Sequence, residues 1–179
     1  MYVKAEISKE EAREILSQRS SFLPIKIKRK PIPPKSVELM HLPFYLIEIQ
    51  LNGESGKQKA TISLDGLLGS SIFFAKSDLN YTEKIENSIC PFVLPQPDAQ
   101  EKALREYRWV LLEHGLRTKK GSTVEKVTEV KAIFYPFWIG YFQRKKGYDF
   151  KAVDGVTGEL QGVKMRKIFI KALREVTSP

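Results

Sequence analysis

Two aspartates stand in matching settings: Ser63-Leu64-Asp65-Gly66-Leu67-Leu68-Gly69 and Ala152-Val153-Asp154-Gly155-Val156-Thr157-Gly158. Paired carboxylates could hold a divalent cation or share general acid–base work. Their neighbours point elsewhere. Asp followed by Gly at a strand end supplies a side-chain acceptor and a residue that accepts positive φ, which is what a tight turn requires. Other groups able to do chemistry are few. His41 and His114 are the two histidines and Cys90 the one cysteine; none has a second ligand or a paired acid at ligand spacing. His114 suits a helix C-terminus, where a partly positive imidazole meets the dipole, and Cys90 suits a small buried position. A structural zinc site needs four clustered ligands and a disulfide needs a second thiol. No phosphate-binding glycine loop, Gly-x-Ser-x-Gly elbow or His-Glu-x-x-His helix occurs. No catalytic residue, metal or cofactor is assigned, and the chain is expected not to be an enzyme.

Positive charge is the second feature with chemical meaning. The chain carries a net +9. Residues 1–90 hold 13 Lys/Arg and 11 Asp/Glu, whereas residues 91–179 hold 17 and 10, so +7 of the charge lies in the second half. Candidate contacts to an anionic partner are Arg144, Lys145 and Lys146 at a hairpin tip, with Arg117, Lys119 and Lys120 after a helix. Lys26-Ile27-Lys28-Arg29-Lys30 and Lys164, Arg166 and Lys167 are further basic clusters. Basic tip residues beside Phe142 and Tyr148 could grip phosphates and stack bases. The plainer reading is a solvated turn with Phe142 and Tyr148 as a cross-strand pair.

The elements that must position these residues read as a duplication. Each Asp-Gly turn follows an alternating run, Lys59–Leu64 and Tyr148–Val153, and the two turns are offset by 89 residues. Upstream, His41-Leu42-Pro43-Phe44 and Phe134-Tyr135-Pro136-Phe137 match at an offset of 93. The four-residue difference is expected in the intervening turns, 52–57 against 144–147, because loops absorb insertions. Ser8-x-x-Glu11 and Asp98-x-x-Glu101 both fit a helix N-cap with a capping box, at an offset of 90. Each half then reads helix, long strand, turn, strand, Asp-Gly turn, strand. The fold class is α+β: two pseudo-two-fold related halves, each a helix on an antiparallel sheet of three to four strands, packed together. The domains are residues 1–90 and 91–179, joined by a stiff connector over Asn80–Pro97 with Pro91, Pro95 and Pro97. Pro31-Ile32-Pro33-Pro34 reads as an extended linker, weakly suggestive of a ligand for a proline-reading domain.

Within this scheme the first helix covers Lys9–Arg19 and the second Ala99–His114, with Gly115 as its left-handed cap. Ala103, Leu104, Tyr107, Val110, Leu111 and His114 share the face expected on the sheet. Trp109, Leu112 and Leu116 fall on the other side. With Trp138 they form the candidate interaction surface. Pro43 and Pro136 lack an amide proton, so each is expected at an edge, a bulge or a strand start. Ile133–Phe142 carries apolar residues on both faces and must be covered on both, by its own helix and by the first half.

The block Tyr135-Pro136-Phe137-Trp138, a turn, then Tyr148 through Asp154-Gly155-Val156-Thr157-Gly158-Glu159 resembles the repeated hairpin of PepSY-like, cystatin-like modules. It is also similar to a segment of uncharacterised prokaryotic zinc-ribbon proteins with a Tyr-Pro-x-Trp strand and an Asp-Gly-x-Thr-Gly turn. The resemblance covers residues 130–165 and, less closely, 37–75. This chain departs from those proteins in lacking ribbon cysteines and a transmembrane segment. The resemblance implies a helix wrapped by an antiparallel sheet, and binding rather than catalysis. The N-terminus is charged at once, and the longest apolar run, Ile133–Phe142, is too short to span a bilayer as a helix. A cytoplasmic binding or scaffold module is expected, with a protein partner or self-association; the alternative is nucleic-acid binding through the basic second half.

Overall fold

A computed structural model of the chain describes residues 1–18, 32–53, 56–72, 79–83, 88–118, 121–145 and 147–177. The Lys26–Lys30 cluster, Lys119, Lys120 and Lys146 lie outside the described residues. The fold is α+β. Three helices, α1 (Lys9–Ser17), α2 (Gln96–Thr118) and α3 (Val163–Thr177), pack on one mixed sheet. Its long strands are β2 (Ser36–Gly53), β3 (Gly56–Asp65), β7 (Ser122–Arg144) and β8 (Gly147–Asp154). Among the described residues it also has four two-residue strands: β1 (Tyr2–Val3), β4 (Ser71–Ile72), β5 (Tyr81–Thr82) and β6 (Ser88–Ile89). The order is β4-β3-β2-β7-β1-β5, with β8 on β7 and β6 on β2. The β1/β7 and β2/β6 pairs are parallel.

The centre of the sheet is the long antiparallel pair of β2 with β7. Leu42 opposes Tyr135, and the ladder runs from Ser36↔Tyr141 to Gly53↔Ser122. Alternation sends Met40, Leu42 and Phe44, with Ile133, Tyr135, Phe137 and Ile139, to one face. There they meet Met165, Ile168, Phe169 and Ala172 of α3. The opposite face carries Tyr45, Ile47, Ile49 and Leu51 under α2, and Val37, Phe142 and Trp138 under α1. Helices therefore cover both sides.

The helices are exchanged relative to expectation. α1, from the first half, lies on the second hairpin, where Leu16 packs with Phe142 and Val153. α2, from the second half, lies on the first hairpin, where Ala99 and Ala103 pack with Ile47, Ile62 and Leu64. The apolar run of β7 is covered by α1 on one side and α3 on the other, and not by α2.

Several local expectations are corrected. The capping box at Ser8 is present: Glu11 N–H donates to Ser8 Oγ at 3.2 Å, and Ser8 N–H to Glu11 Oε2 at 2.8 Å. Asp98 is not an N-cap. α2 begins at Gln96, and Pro95 C=O accepts from Ala99 N–H at 3.0 Å. Asp98 thus lies three residues into the helix, where Glu11 lies in α1, and its charge suits the helix N-terminus. The other end runs through Gly115 to Thr118, and Gly115 has no positive φ. Pro43 and Pro136 sit in the middle of central strands, not at strand starts. Their carbonyls accept from Gly66 and Gly155 N–H, at 2.7 and 3.0 Å. An extended residue points N–H and C=O to the same side, so each absent proline proton faces a turn where the hairpin ladder has already ended.

The Asn80–Pro97 connector is not a free spacer. It supplies β5, β6 and the first residues of α2, and Val93 and Leu94 N–H both donate to Gly66 O. Among the described residues, the first Asp-Gly turn is followed by β4 and the second by a single bridge, Val153↔Leu160, before α3, rather than by a full strand.

The four-residue length difference lies in the hairpin arms, not the turns. The first hairpin has ten ladder pairs, Phe44↔Asp65 to Gly53↔Gly56, and the second eight, Phe137↔Asp154 to Arg144↔Gly147. Both tips leave two residues between the last pair, followed by a glycine with φ of 93° or 98°. Two residues per arm preserve the period of a strand, so no side chain changes face.

Candidate interaction surface

Each Asp-Gly turn is a closed set of hydrogen bonds. Asp65 Oδ1 accepts from Leu67 and Leu68 N–H at 3.0 and 2.7 Å, and Oδ2 from Ser70 N–H at 2.6 Å. Asp154 Oδ1 accepts from Val156 and Thr157 N–H at 2.8 and 2.9 Å. Tyr135 Oη donates to both Asp154 oxygens, at 3.0 and 3.1 Å. Both aspartates are buried. Burial first, then the Asp154 charge, pushes the Tyr135 phenol far above its usual range. A carboxylate so engaged has no free lone pair aimed at solvent, and the turns account for both acids. Gly69 and Gly158 close them with φ of 67° and 75°.

His41 is buried on β2. Its Nε2–H donates to Val3 O at 3.3 Å, and Nδ1 has no partner among the described residues. Burial holds its pKa below the ordinary histidine value. Cys90 is buried, its thiol pushed up to about 11 by burial. His114 is exposed on α2 and faces away from the sheet, as does Val110. Among the described residues no cluster of three or more His, Cys, Asp or Glu could hold a metal, and no helix is long and apolar enough to cross a membrane.

Near the tip of the second hairpin, Arg144 is engaged with its own chain. Arg144 and Arg166 converge on Asp149, at 3.0 and 2.8 Å. Their guanidiniums, Arg166 first, hold that carboxyl below its usual range. Lys151 lies over the Phe142 ring, Arg166 over Phe150 and Lys35 over Tyr148. Phe142 is buried, and its cross-strand partner is Asp149; Tyr148 pairs with Gln143, so the expected Phe142–Tyr148 pair does not form. Lys145 is exposed on the turn. Arg117 bonds Glu113 at 2.6 Å, one helical turn back.

Of the four apolar candidates, three share one face. Trp109, Leu112 and Leu116 are 68%, 54% and 77% exposed on the outer side of α2. Arg105 and Arg108 flank Trp109 and Leu112. An open groove bounded by Arg108, Leu111, Leu112, Leu116 and Val124 runs between this helix and the start of β7. Trp138 stands apart: it is half-buried under α1, and its Nε1–H donates to Ile7 O at 2.8 Å. Tyr45 plays the same part on the other hairpin, its hydroxyl donating to Leu94 O at 2.9 Å.

The inner side of α2 already has its packing. Leu104, Tyr107 and Leu111 lie on Ile47, Ile49 and Leu51 and on Val124, Val127 and Val130 of β7. Those valines are three apart, whereas their partners Leu51, Ile49 and Ile47 are two apart. Register shifts at Glu48/Ile49 and Gln50/Leu51 absorb the extra residues. The outer row is therefore surplus to the fold. No protein-family model, curated protein or solved structure matches the chain.

Proposed function

We propose that this chain is an internal duplication whose second copy has been extended into a protein-binding arm, and that it acts as a non-catalytic binding or scaffold module. Equivalent bonds in the two halves support the duplication. Glu6 and Ile7 N–H donate to Gly155 O, as Val93 and Leu94 N–H donate to Gly66 O. Ala12 and Leu16 of α1 are fully buried, as are Ala99 and Ala103 of α2, at an offset of 87. The Leu42↔Tyr135 pair joins two positions offset by 93, as a pseudo-two-fold axis through the sheet requires. The resemblance to PepSY-like modules adds an expectation of binding.

The carrying observation is the Trp109, Leu112 and Leu116 row. At the offset of 87, α1 ends opposite Leu104, whereas α2 continues through residues 105–118. An exposed Trp and Leu cluster flanked by arginines has the composition of an interface hot spot. Radical footprinting of the full chain tests this reading. Oxidation of Trp109 and Leu112 should fall several-fold in concentrated native lysate relative to dilute buffer, while half-buried Trp138 stays unchanged. Equal oxidation in both would overturn it.

A further inference from the structure

We infer that the partner at this face is an acidic, apolar peptide segment. Its apolar side chains fill the groove between α2 and the start of β7, and its carboxylates take Arg105 and Arg108. The inference rests on the protein-binding reading above and names the chemistry of its partner. Two depressions meet on this flank of α2. One is lined by Arg105, Arg108, Trp109 and Leu112. The other, of about 570 Å³, has walls that include Arg108, Leu111, Leu112, Leu116 and Val124. Arg108 and Leu112 belong to both, so the two form one channel, cationic at one end and aliphatic at the other. Among the described residues no Asp or Glu lines either part.

The two arginines select the partner. Arg13, Arg117, Arg144 and Arg166 each hold a carbonyl or carboxylate oxygen of their own chain. Arg105 and Arg108 hold none among the described residues. A partner that covers Trp109 and Leu112 takes both guanidiniums out of water as well, and a charge so covered is costly without an acceptor. A carboxylate supplies one, in the planar two-bond geometry that suits a guanidinium. Arg105 and Arg108 are about 4.5 Å apart along the helix axis, so one carboxylate or two adjacent ones satisfy both. A nucleic acid fits less well. Its backbone needs cations in series, whereas Glu101 lies one turn before Arg105 and the rest of the channel is aliphatic. From Arg108 to Leu116 is about 12 Å of helix. An extended segment spans that in about four residues and a helical one in about eight.

Selection from a phage-displayed library tests the partner's chemistry, with the full chain as bait and random peptides of about twelve residues, long enough for either conformation. The peptides retained should carry Asp or Glu within about eight positions of a Leu, Phe or Trp. The leading one, made synthetically, should bind in the micromolar range by isothermal titration calorimetry. The double variant Arg105→Glu, Arg108→Glu should weaken it at least about tenfold. Both sites are exposed, so circular dichroism and melting temperature should match wild type. The same peptide with its acids replaced by Lys should regain affinity for the double variant, which a purely structural effect of the substitutions would not produce. Retained peptides without an acidic excess, or equal binding of the leading peptide to wild type and variant, would overturn the inference. Displacement of the peptide by duplex DNA would assign the arginines to phosphates and overturn it too. A library that yields no binder would do the same; protection of Trp109 in lysate would then leave the protein-binding reading standing, with a folded surface as the partner.

Discussion

In the first half of the chain the helix is short and the hairpin long; in the second half the reverse holds. α1 has 9 residues and its own hairpin ten ladder pairs, whereas α2 has 23 residues and its hairpin eight. Each helix crosses to the other hairpin: the long helix lies on the long hairpin and the short on the short. The bulges between β2 and β7 lie where the long helix packs, turning a three-residue spacing of valines onto one face.

The two aspartates offer the sharpest way to break this comparison. The sequence makes Asp65 and Asp154 equivalent, but their third partners differ in kind. Ser70 N–H faces Asp65 Oδ2, and an amide nitrogen placed there would oppose donor to donor. Tyr135 Oη faces Asp154, and a hydroxyl can reverse its role and accept. Asp65→Asn should therefore cost about 2–3 kcal/mol, since a buried donor loses its acceptor, and Asp154→Asn about 1 kcal/mol or less. Urea unfolding of both variants measures the difference. Equal costs would show that the turns are interchangeable.

What was legible in the sequence was what short-range chemistry determines. The Asp-Gly turns, the hairpins around them and the Ser8 cap each rest on residues within a few positions of one another. The exchange of helices was not legible, because a helix of either half presents the same amphipathic pattern to either hairpin. α3 was missed despite a clear signal. Met165, Ile168, Phe169 and Ala172 follow helical spacing, but a repeat template required a strand there, and Lys164, Arg166 and Lys167 drew attention as charge alone. The second apolar row of α2 was readable from its period, as Trp109, Leu112 and Leu116 share an outer side. Trp138 was grouped with them on residue type, and its place in a central strand under α1 was not available locally. The Asp98 cap does not form because the helix starts nearly a turn earlier, at Gln96, where Pro97 falls in the first turn and needs no amide proton.

His41 gives a second, smaller asymmetry. Its counterpart at the offset of 93 is Phe134, which needs no hydrogen bond. The buried imidazole prefers to be neutral, and its folded pKa lies below the ordinary value near 6.5. The unfolded chain therefore binds the proton more readily. The stability tied to neutral His41 is fully present above about pH 6.5 and is lost as pH falls from there through the folded pKa. Melting temperature should drop between pH 7 and pH 5 in the wild-type chain, and His41→Phe should flatten that part of the profile. A His41→Phe profile parallel to wild type would assign the pH dependence elsewhere.

The smallest effect on the fold is expected at the second hairpin's tip, where the comparison bears on the basic charge. The second half holds +7 of the net charge, and nucleic-acid binding is the function that would use it. At the tip, though, Arg144 shares Asp149 with Arg166, and the nearby rings of Phe142, Tyr148 and Phe150 lie beneath cations of the same chain. A base would have to displace those cations in order to stack. Replacing Arg144, Lys145 and Lys146 with Ser should change stability by no more than about 1 kcal/mol, because exposed ion pairs contribute little. If duplex DNA is bound at all, the slope of log affinity against log salt should be the same for wild type and variant. Were the tip a phosphate contact, each lost charge would remove nearly one unit, and the slope would flatten by about two to three. That flattening, in a variant with wild-type melting, would move the function of the second half from its helix face to its hairpin.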